Sequence, residues 1–232
     1  MTIIYTYIGH GTHALDINGA KILIDPYLAD NPSTSLSPDD IEADVIVISH
    51  GHGDHISDAI PVAQRTGAKV IANFEIVGWL EQQGVSGDQL HPQHLGGGFK
   101  HDFGYLKFTI AHHGSGLPDG SYGGNPAGLL FYVDGKKLYF ACDTALFSDM
   151  KLYGDEGLDL AVVPIGDNFT MGPDDALKAI KLLAPKQAVP CHYNTWPLIE
   201  QDAGAWKQRV EAETDTKVSV LAPGGSLVFD YP

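Results

Sequence analysis

Residues 49–55 read Ser-His-Gly-His-Gly-Asp-His, so His50, His52, Asp54 and His55 fall within six consecutive positions. Imidazoles and carboxylates at that density are the donors of a transition-metal site. His50 and His52 are two apart, so on extended backbone their side chains share a face and can share one metal. Asp54 and His55 are adjacent, so on the same extended backbone their side chains diverge and suit a second metal beside the first. Gly51 and Gly53 would permit the unusual backbone angles of so crowded a loop. A histidine-rich surface tract is the plain alternative. It explains neither the apolar run Val45-Ile46-Val47-Ile48 ahead of the motif nor the carboxylate inside it. A dinuclear site needs further donors at strand ends on the same rim, and three fit. His113 follows Phe108-Thr109-Ile110, Asp143 follows Leu138-Tyr139-Phe140, and His192 follows Ala188-Val189 by two residues. Two metals about 3.5–4 Å apart hold a hydroxide and polarise a substrate oxygen together, and zinc lets its water ionise near pH ~7. Such a centre is hydrolytic and needs no protein nucleophile. Nitrogen and oxygen donors without thiolate suit zinc, manganese, iron or nickel and do not choose among them; two divalent ions, with zinc the expectation, would complete the centre.

The elements that must position these donors are legible as patterns. Residues 2–8 read as a strand, and 13–17 with 21–24 as a hairpin turning on Asn18-Gly19. Residues 31–40, rich in Pro, Ser and Asp, read as a rim loop. Residues 44–48 form the buried strand before the motif. A helix capped by Ser57 or Asp58 runs to Arg65 and stops at Gly67. Residues 69–72 are a strand and 74–83 a helix stopped by Gly84. In the second half, 106–111 is a strand delivering His112 and His113. The glycine-rich loop 114–128 follows, then a hairpin of 129–133 and 137–141 through Asp134-Gly135. Residues 160–163 form a buried strand. A helix opens at Pro173 and ends before Pro185, 187–190 is a strand, and a helix from about 198 to 211 precedes two closing strands. The pattern predicts an α/β fold of two sheets packed face to face with helices outside. No linker divides the chain, so residues 1–232 are expected to form one domain.

The 232 residues carry 14 Lys and Arg against 29 Asp and Glu, a formal charge of −15. That surface repels phosphate backbones, and no basic patch offsets it, so a nucleic-acid partner is not expected. No apolar stretch is long enough to span a bilayer, and the first residues lack a signal-peptide pattern. With Cys142 and Cys191 as the only cysteines, a reducing, cytoplasmic location is expected. Both cysteines should point opposite to Asp143 and His192 and act as buried small hydrophobes. Trp79, Trp196 and Trp206 belong either to the core or to the interface of a homo-oligomer.

The series His50-Gly-His52-Gly-Asp54-His55, then a lone His, then Asp, then His resembles the metallo-β-lactamase superfamily. Gly123-Gly124-Asn125-Pro126-Ala127-Gly128, the segment from Pro164-Ile165-Gly166-Asp167 to Thr170-Met171-Gly172-Pro173, and His192-Tyr193-Asn194-Thr195 narrow the likeness. They resemble small metal-dependent hydrolases related to ascorbate-6-phosphate lactonase-like proteins, over essentially the whole chain. The resemblance implies a four-layer αββα sandwich of two mixed sheets. It implies a first metal on His50, His52 and His113, a second on Asp54, His55 and His192, and Asp143 bridging them. Position 112 is His where the family favours an aromatic, so His112 competes with His113; the register against Ala111 and Ser115 favours His113. Position 142 is Cys where glycine is common. The implied activity is metal-dependent hydrolysis by a bridging hydroxide of a small, anionic molecule through its lactone or phosphodiester bond. Asp54 or Asp143 would position the hydroxide. His10, in a Gly-His step seen in these relatives, would contact substrate or support a ligand. Tyr193 and Asn194 would stabilise an oxyanion. Asp25 would orient a metal-bound His, or else merely form an Asp-Pro turn; Asp167 would orient His192. Loop 114–128 would frame the substrate. His91, His94 and His101 read as a solvated loop. Two other classes remain: a non-catalytic metal-binding or ligand-binding protein, and a diiron oxidoreductase, which would usually carry Glu at position 52 and a flavin domain.

Overall fold

A computed structural model describes residues 2–230. Strand β1 (Thr2–Gly9) alternates so that Ile3, Tyr5 and Tyr7 turn to one buried face. It pairs with β2 (Thr12–Ile17), which pairs with β3 (Ala20–Ile24). The β2–β3 turn carries positive φ at both Asn18 (53°) and Gly19 (94°), the twist that two-residue hairpins require. The chain then switches to parallel pairing through β4 (Val45–Val47), β5 (Lys69–Ala72) and β6 (Leu90–Pro92). Helices α1 (Gly53–Ile56), α2 (Ala59–Thr66) and α3 (Phe74–Gln82) occupy the crossovers.

The second sheet repeats that plan. Antiparallel strands β7 (Gly98–His101), β8 (Gly104–Ile110), β9 (Ala127–Val133) and β10 (Lys136–Phe140) come first. Parallel strands β11 (Leu160–Pro164), β12 (Gln187–Cys191) and β13 (Lys217–Val218) follow. They are linked by α4 (Met150–Gly154), α5 (Pro173–Leu183) and α6 (Ala203–Glu213). Strand β14 (Ser226–Asp230) then returns to the first sheet beside β1. Among the described residues each sheet has seven strands, in the orders β14-β1-β2-β3-β4-β5-β6 and β13-β12-β11-β10-β9-β8-β7.

The apolar core falls into three layers. Ile3, Tyr5, Ile24, Phe108, Phe131 and Phe140 fill the space between the sheets. Ile46, Val62, Ile76 and Leu80 join the first sheet to its helices, and Leu130, Val163, Ile180 and Trp206 join the second to its own. The expected four-layer αββα sandwich is therefore present.

The structure departs from expectation in four places. Strands β6 and β7 occupy the stretch read as a glycine- and histidine-rich loop. The last helix starts at Ala203, because Pro197–Ile199 makes a separate 3-10 turn and Asp202 caps the helix by accepting from the Ala205 N–H at 2.9 Å. The motif is not extended throughout, since Gly53–Ile56 is a helical turn. Gly51 and Gly53 do not take left-handed angles; a Cβ at Gly51 would instead lie 3.1 Å from Leu117, so that glycine serves close packing.

Strands β1, β3 and β4 run in one direction in the first sheet, and β8, β10 and β12 share one direction in the second. Their C-terminal ends carry His10, Asp25, Ser49 to His55, His113, Asp143 and His192. Ligand sites in open α/β sheets gather at such ends.

Candidate metal centre

Four strand ends turn sharply into the site. His10 (φ 56°), Asp25 (49°), Cys142 (52°) and His192 (52°) all take left-handed backbone, which costs a non-glycine residue about 1–2 kcal/mol. Position 142 therefore favours glycine on backbone grounds, and Cys142 occupies it with its side chain packed against the inter-sheet core. Cys142 and Cys191 are unpaired, lie outside the donor clusters, and pack as small hydrophobes.

Asp143 Oδ2 is the hub of the donors. It lies 3.1 Å from His192 Nε2, 3.4 Å from both His55 Nε2 and His113 Nε2, and 4.0 Å from His50 Nε2. On one side, His50 Nε2 and His52 Nδ1 face each other at 3.1 Å, and His113 completes that trio. On the other, Asp54 Oδ2 is 3.7 Å from His192 Nε2 and 3.8 Å from His55 Nε2. Asp54 and His55 thus converge rather than diverge, because neighbours on a helical turn are set about 100° apart instead of 180°.

Buried partners fix which ring nitrogens face inward. Asp25, 1% exposed, accepts from the Ser49 N–H at 2.7 Å and the Ser49 O–H at 2.5 Å, and from His55 Nδ1–H at 2.9 Å. Ser49 Oγ in turn accepts from His50 Nδ1–H at 2.9 Å. Both rings therefore turn Nε2 to the interior, and one buried carboxylate orients two imidazoles. Asp25 is no mere turn residue. Gly11 lets this happen at close range, since a Cβ there would come within 2.6 Å of His55 Cε1.

The electrostatics follow from that crowding. Burial and the neighbouring His55 push His50 well below the ordinary imidazole range. Burial also opposes charge on His55 and His192. The carboxylates around them outweigh it, Asp143 with Asp25 lifting His55 well above its usual range and Asp143 with Asp54 lifting His192 to about 9. Burial likewise opposes ionisation of Asp54, yet the His10 hydrogen bond at 3.0 Å, with His192 and His55 beside it, holds its carboxyl well below the usual range.

The donors fit metal ions on two counts. His55 Nε2 and both ring nitrogens of His192 are buried without a hydrogen-bond partner, and such atoms are costly unless a cation or donor meets them. Two ligands each ~2.05 Å from a tetrahedral metal lie about 3.3 Å apart, close to the 3.1–3.4 Å spacings around Asp143 and between His50 and His52.

The other sequence candidates divide. His10 is buried, with Nε2 on Asp54 and Nδ1 2.7 Å from Thr195 Oγ1, and its ring lies 3.9 Å from that of His192. His113 faces the cluster; His112 turns outward onto Phe147 at 5.1 Å. Tyr193 and Asn194 border a different depression, with Tyr7, Pro32 and Val220, rather than the space above the donors. Asp167 is exposed and bonds within its own loop, where its carboxylate accepts from the Asn168 N–H. Loop 114–128 starts against the donors, since a Cβ on Gly114 would lie 3.2 Å from His52 Nε2, but none of its residues lines the space above them. It braces the motif, with Ser115 Oγ accepting from the Gly51 N–H at 3.1 Å. His91 and His101 pack on Phe99 at the β6 and β7 edges. His94 lies 3.7 Å from Glu75. Trp206 is buried in the core, while Trp79 and Trp196 are half-buried.

Above the donors lies a cavity of about 460 Å³. Its floor is His52, Asp54, His113, Asp143 and His192, and its walls are Phe169, Trp196 and Leu198. Sequence reasoning missed these three walls. They sit in irregular segments after β11 and β12, where no periodicity marks a side chain's direction. The anionic substrate expected above meets no Lys or Arg among the described lining residues.

Comparison with known proteins agrees with this architecture. A family model described as a beta-lactamase superfamily domain matches residues 20–193. A UPF0173 metal-dependent hydrolase of Pelotomaculum thermopropionicum is 44% identical over 227 residues, covering 96% of this chain and 98% of its own. One from Thermus thermophilus is 46% identical over 224 residues, covering 97% and 98%. The solved structure of Igni18, a metallo hydrolase from Ignicoccus hospitalis, superposes with a TM-score of 0.90 at 37% identity over 100% of both chains. With such matches running almost end to end, the chain belongs to the beta-lactamase superfamily, among its metal-dependent hydrolases.

Proposed function

We propose that the protein is a dinuclear hydrolase of a small molecule, with two divalent cations, zinc first, held in the cluster around Asp143. The observation that carries this reading is the convergence of four imidazole nitrogens within 4.0 Å of one buried carboxylate oxygen. His50, His52 and His113 would hold one ion, Asp54, His55 and His192 the other, and Asp143 would bridge. A pair of divalent ions supplies an acidified water and a Lewis acid at neutral pH.

The chain's own residues do the rest. Asp25 and Ser49 hold the rings of His55 and His50 in the ligating tautomer. Asp54, with its side chain 27% exposed, faces the cavity and orients the attacking water. His10 positions Asp54. The cavity admits a small molecule, and a lactone or a phosphodiester is the bond we place there. No described helix is long and apolar enough to cross a membrane, and the two unpaired cysteines suit a reducing cytoplasm.

Asp143→Asn tests the reading, because it keeps the shape and removes the charge. Metal content by elemental analysis and turnover of a lactone and phosphodiester panel should fall together. The fall in turnover should reach at least the ~100-fold that loss of an outer partner of a metal ligand costs. Full turnover in that variant refutes the proposal.

A further inference from the structure

We infer that the substrate carries an uncharged alkyl or aryl group beside the reacting bond, so that the site takes substrates with apolar tails in preference to those whose tails end in a charge. This rests on the hydrolase reading above. Every lining residue that is not a candidate metal ligand is apolar: Phe169, Trp196 and Leu198. No Lys or Arg stands among the described lining residues, so a charged tail lying against the walls, away from the metal-holding floor, would meet no counter-charge. A cavity of about 460 Å³ lies within the range that encloses a small organic ligand.

The walls are built in place. Asp167 (φ 63°) and Asn168 (51°) take left-handed backbone to turn the loop, and the Phe169 N–H donates to the Asp167 carbonyl. The Met171 N–H donates to Thr144 O at 3.1 Å, tying that loop beside Asp143. Trp196 meets the His10 ring edge-on at 4.7 Å. Leu198 sits in a turn whose Ile199 is buried and whose backbone bonds Asn194 at 2.8 Å. Phe169 is nonetheless 51% exposed and Leu198 68% exposed. Large apolar side chains fixed in water at a cavity mouth gain stability only when something apolar covers them. The floor supplies the reacting groups, so the occupant of the walls is the substrate's non-reacting part.

The test uses two matched series on the zinc-loaded protein. One is kcat/KM for p-nitrophenyl esters from acetate to octanoate. The other is the Kd of n-alkylhydroxamates of the same lengths, whose head group anchors on metal and which are not cleaved. Each series has counterparts ending in a carboxylate. Both quantities should improve about fourfold per methylene until the cavity is full. The carboxylate-ended counterparts should be at least ~10-fold worse. Phe169→Ser and Leu198→Ser should flatten the gain per methylene without changing metal content. Affinity that ignores chain length, or favours the carboxylate-ended series, overturns the inference. Metal-dependent ester turnover with flat binding strikes this inference alone. Binding that rises with length, without turnover of any ester, lactone or phosphodiester, supports the apolar site and strikes the hydrolytic reading.

Discussion

Thr195 Oγ1 and Asp54 Oδ2 stand on opposite sides of the His10 ring, at 2.7 and 3.0 Å. Burial and the neighbouring His192 push His10 down to about 4, so the ring is neutral at physiological pH. A neutral ring has one proton, and a carboxylate can only accept. His10 Nε2–H therefore donates to Asp54, and the Thr195 hydroxyl donates to Nδ1. His10→Ala should cut turnover about 10- to 100-fold with weaker metal retention. His10→Gln, which keeps a donor for Asp54, should restore part of it. Equal losses in the two variants would reduce His10 to packing. At this scale the sequence marked several of the side chains that the structure gathers, because His113, Asp143 and His192 each lie just beyond an apolar run. It did not show Asp25 serving two histidines, since that depends on β3 lying beside β4. Nor did it show Tyr193 turning away from the donors, since His192 takes left-handed backbone immediately before it.

Asn73 illustrates how an element and a loop are joined. Its Oδ1 caps α3 by accepting from the Ile76 N–H at 2.9 Å, and its Nδ2 donates to Gly123 O and Asn125 O at 2.7 and 3.2 Å. That side chain joins the Ser115–Gly51 bond and the Trp79 Nε1–H bond to Asp119 in holding loop 114–128 against the first half of the fold. Asn73→Ala should lower unfolding free energy by about 2 kcal/mol, combining a lost cap with carbonyls left unpaired. Chemical denaturation measures it, and a change under about 0.5 kcal/mol would show that the loop is held elsewhere. The hairpins and most helices were legible because Asn18-Gly19, Asp134-Gly135, Gly67 and Pro173 mark their ends. Strands β6 and β7 were not. They are short edge strands whose partners, not their own residues, make them strands.

Across the whole molecule, each half runs an antiparallel meander into parallel strands, and the two sheets enclose a core that includes one histidine. His13 is 3% exposed, takes the Tyr5 hydroxyl at 3.1 Å, and is pushed down to about 3 by burial and then by His55. The unfolded chain takes up a proton on this residue below pH ~6.5 and the folded one does not until about 3, so stability falls as pH drops through that window. Between pH 7 and pH 5 the metal-free protein should lose about 2 kcal/mol less as His13→Gln than as wild type. Denaturant titrations at the two pH values measure this, and equal losses would assign the charge penalty to other groups. The halves share this plan without any repeat of residues, because topology constrains burial rather than identity. The pairing of β1 with β14 was not legible, and it has a consequence for biosynthesis. Thr2 bonds Asp230 across 228 positions. At translation rates of roughly 5–20 residues per second, β1 waits roughly 10–45 s for that neighbour. Through that interval its outer edge is an open template for other nascent chains. Weakening β14 should therefore register first as lost soluble yield during expression.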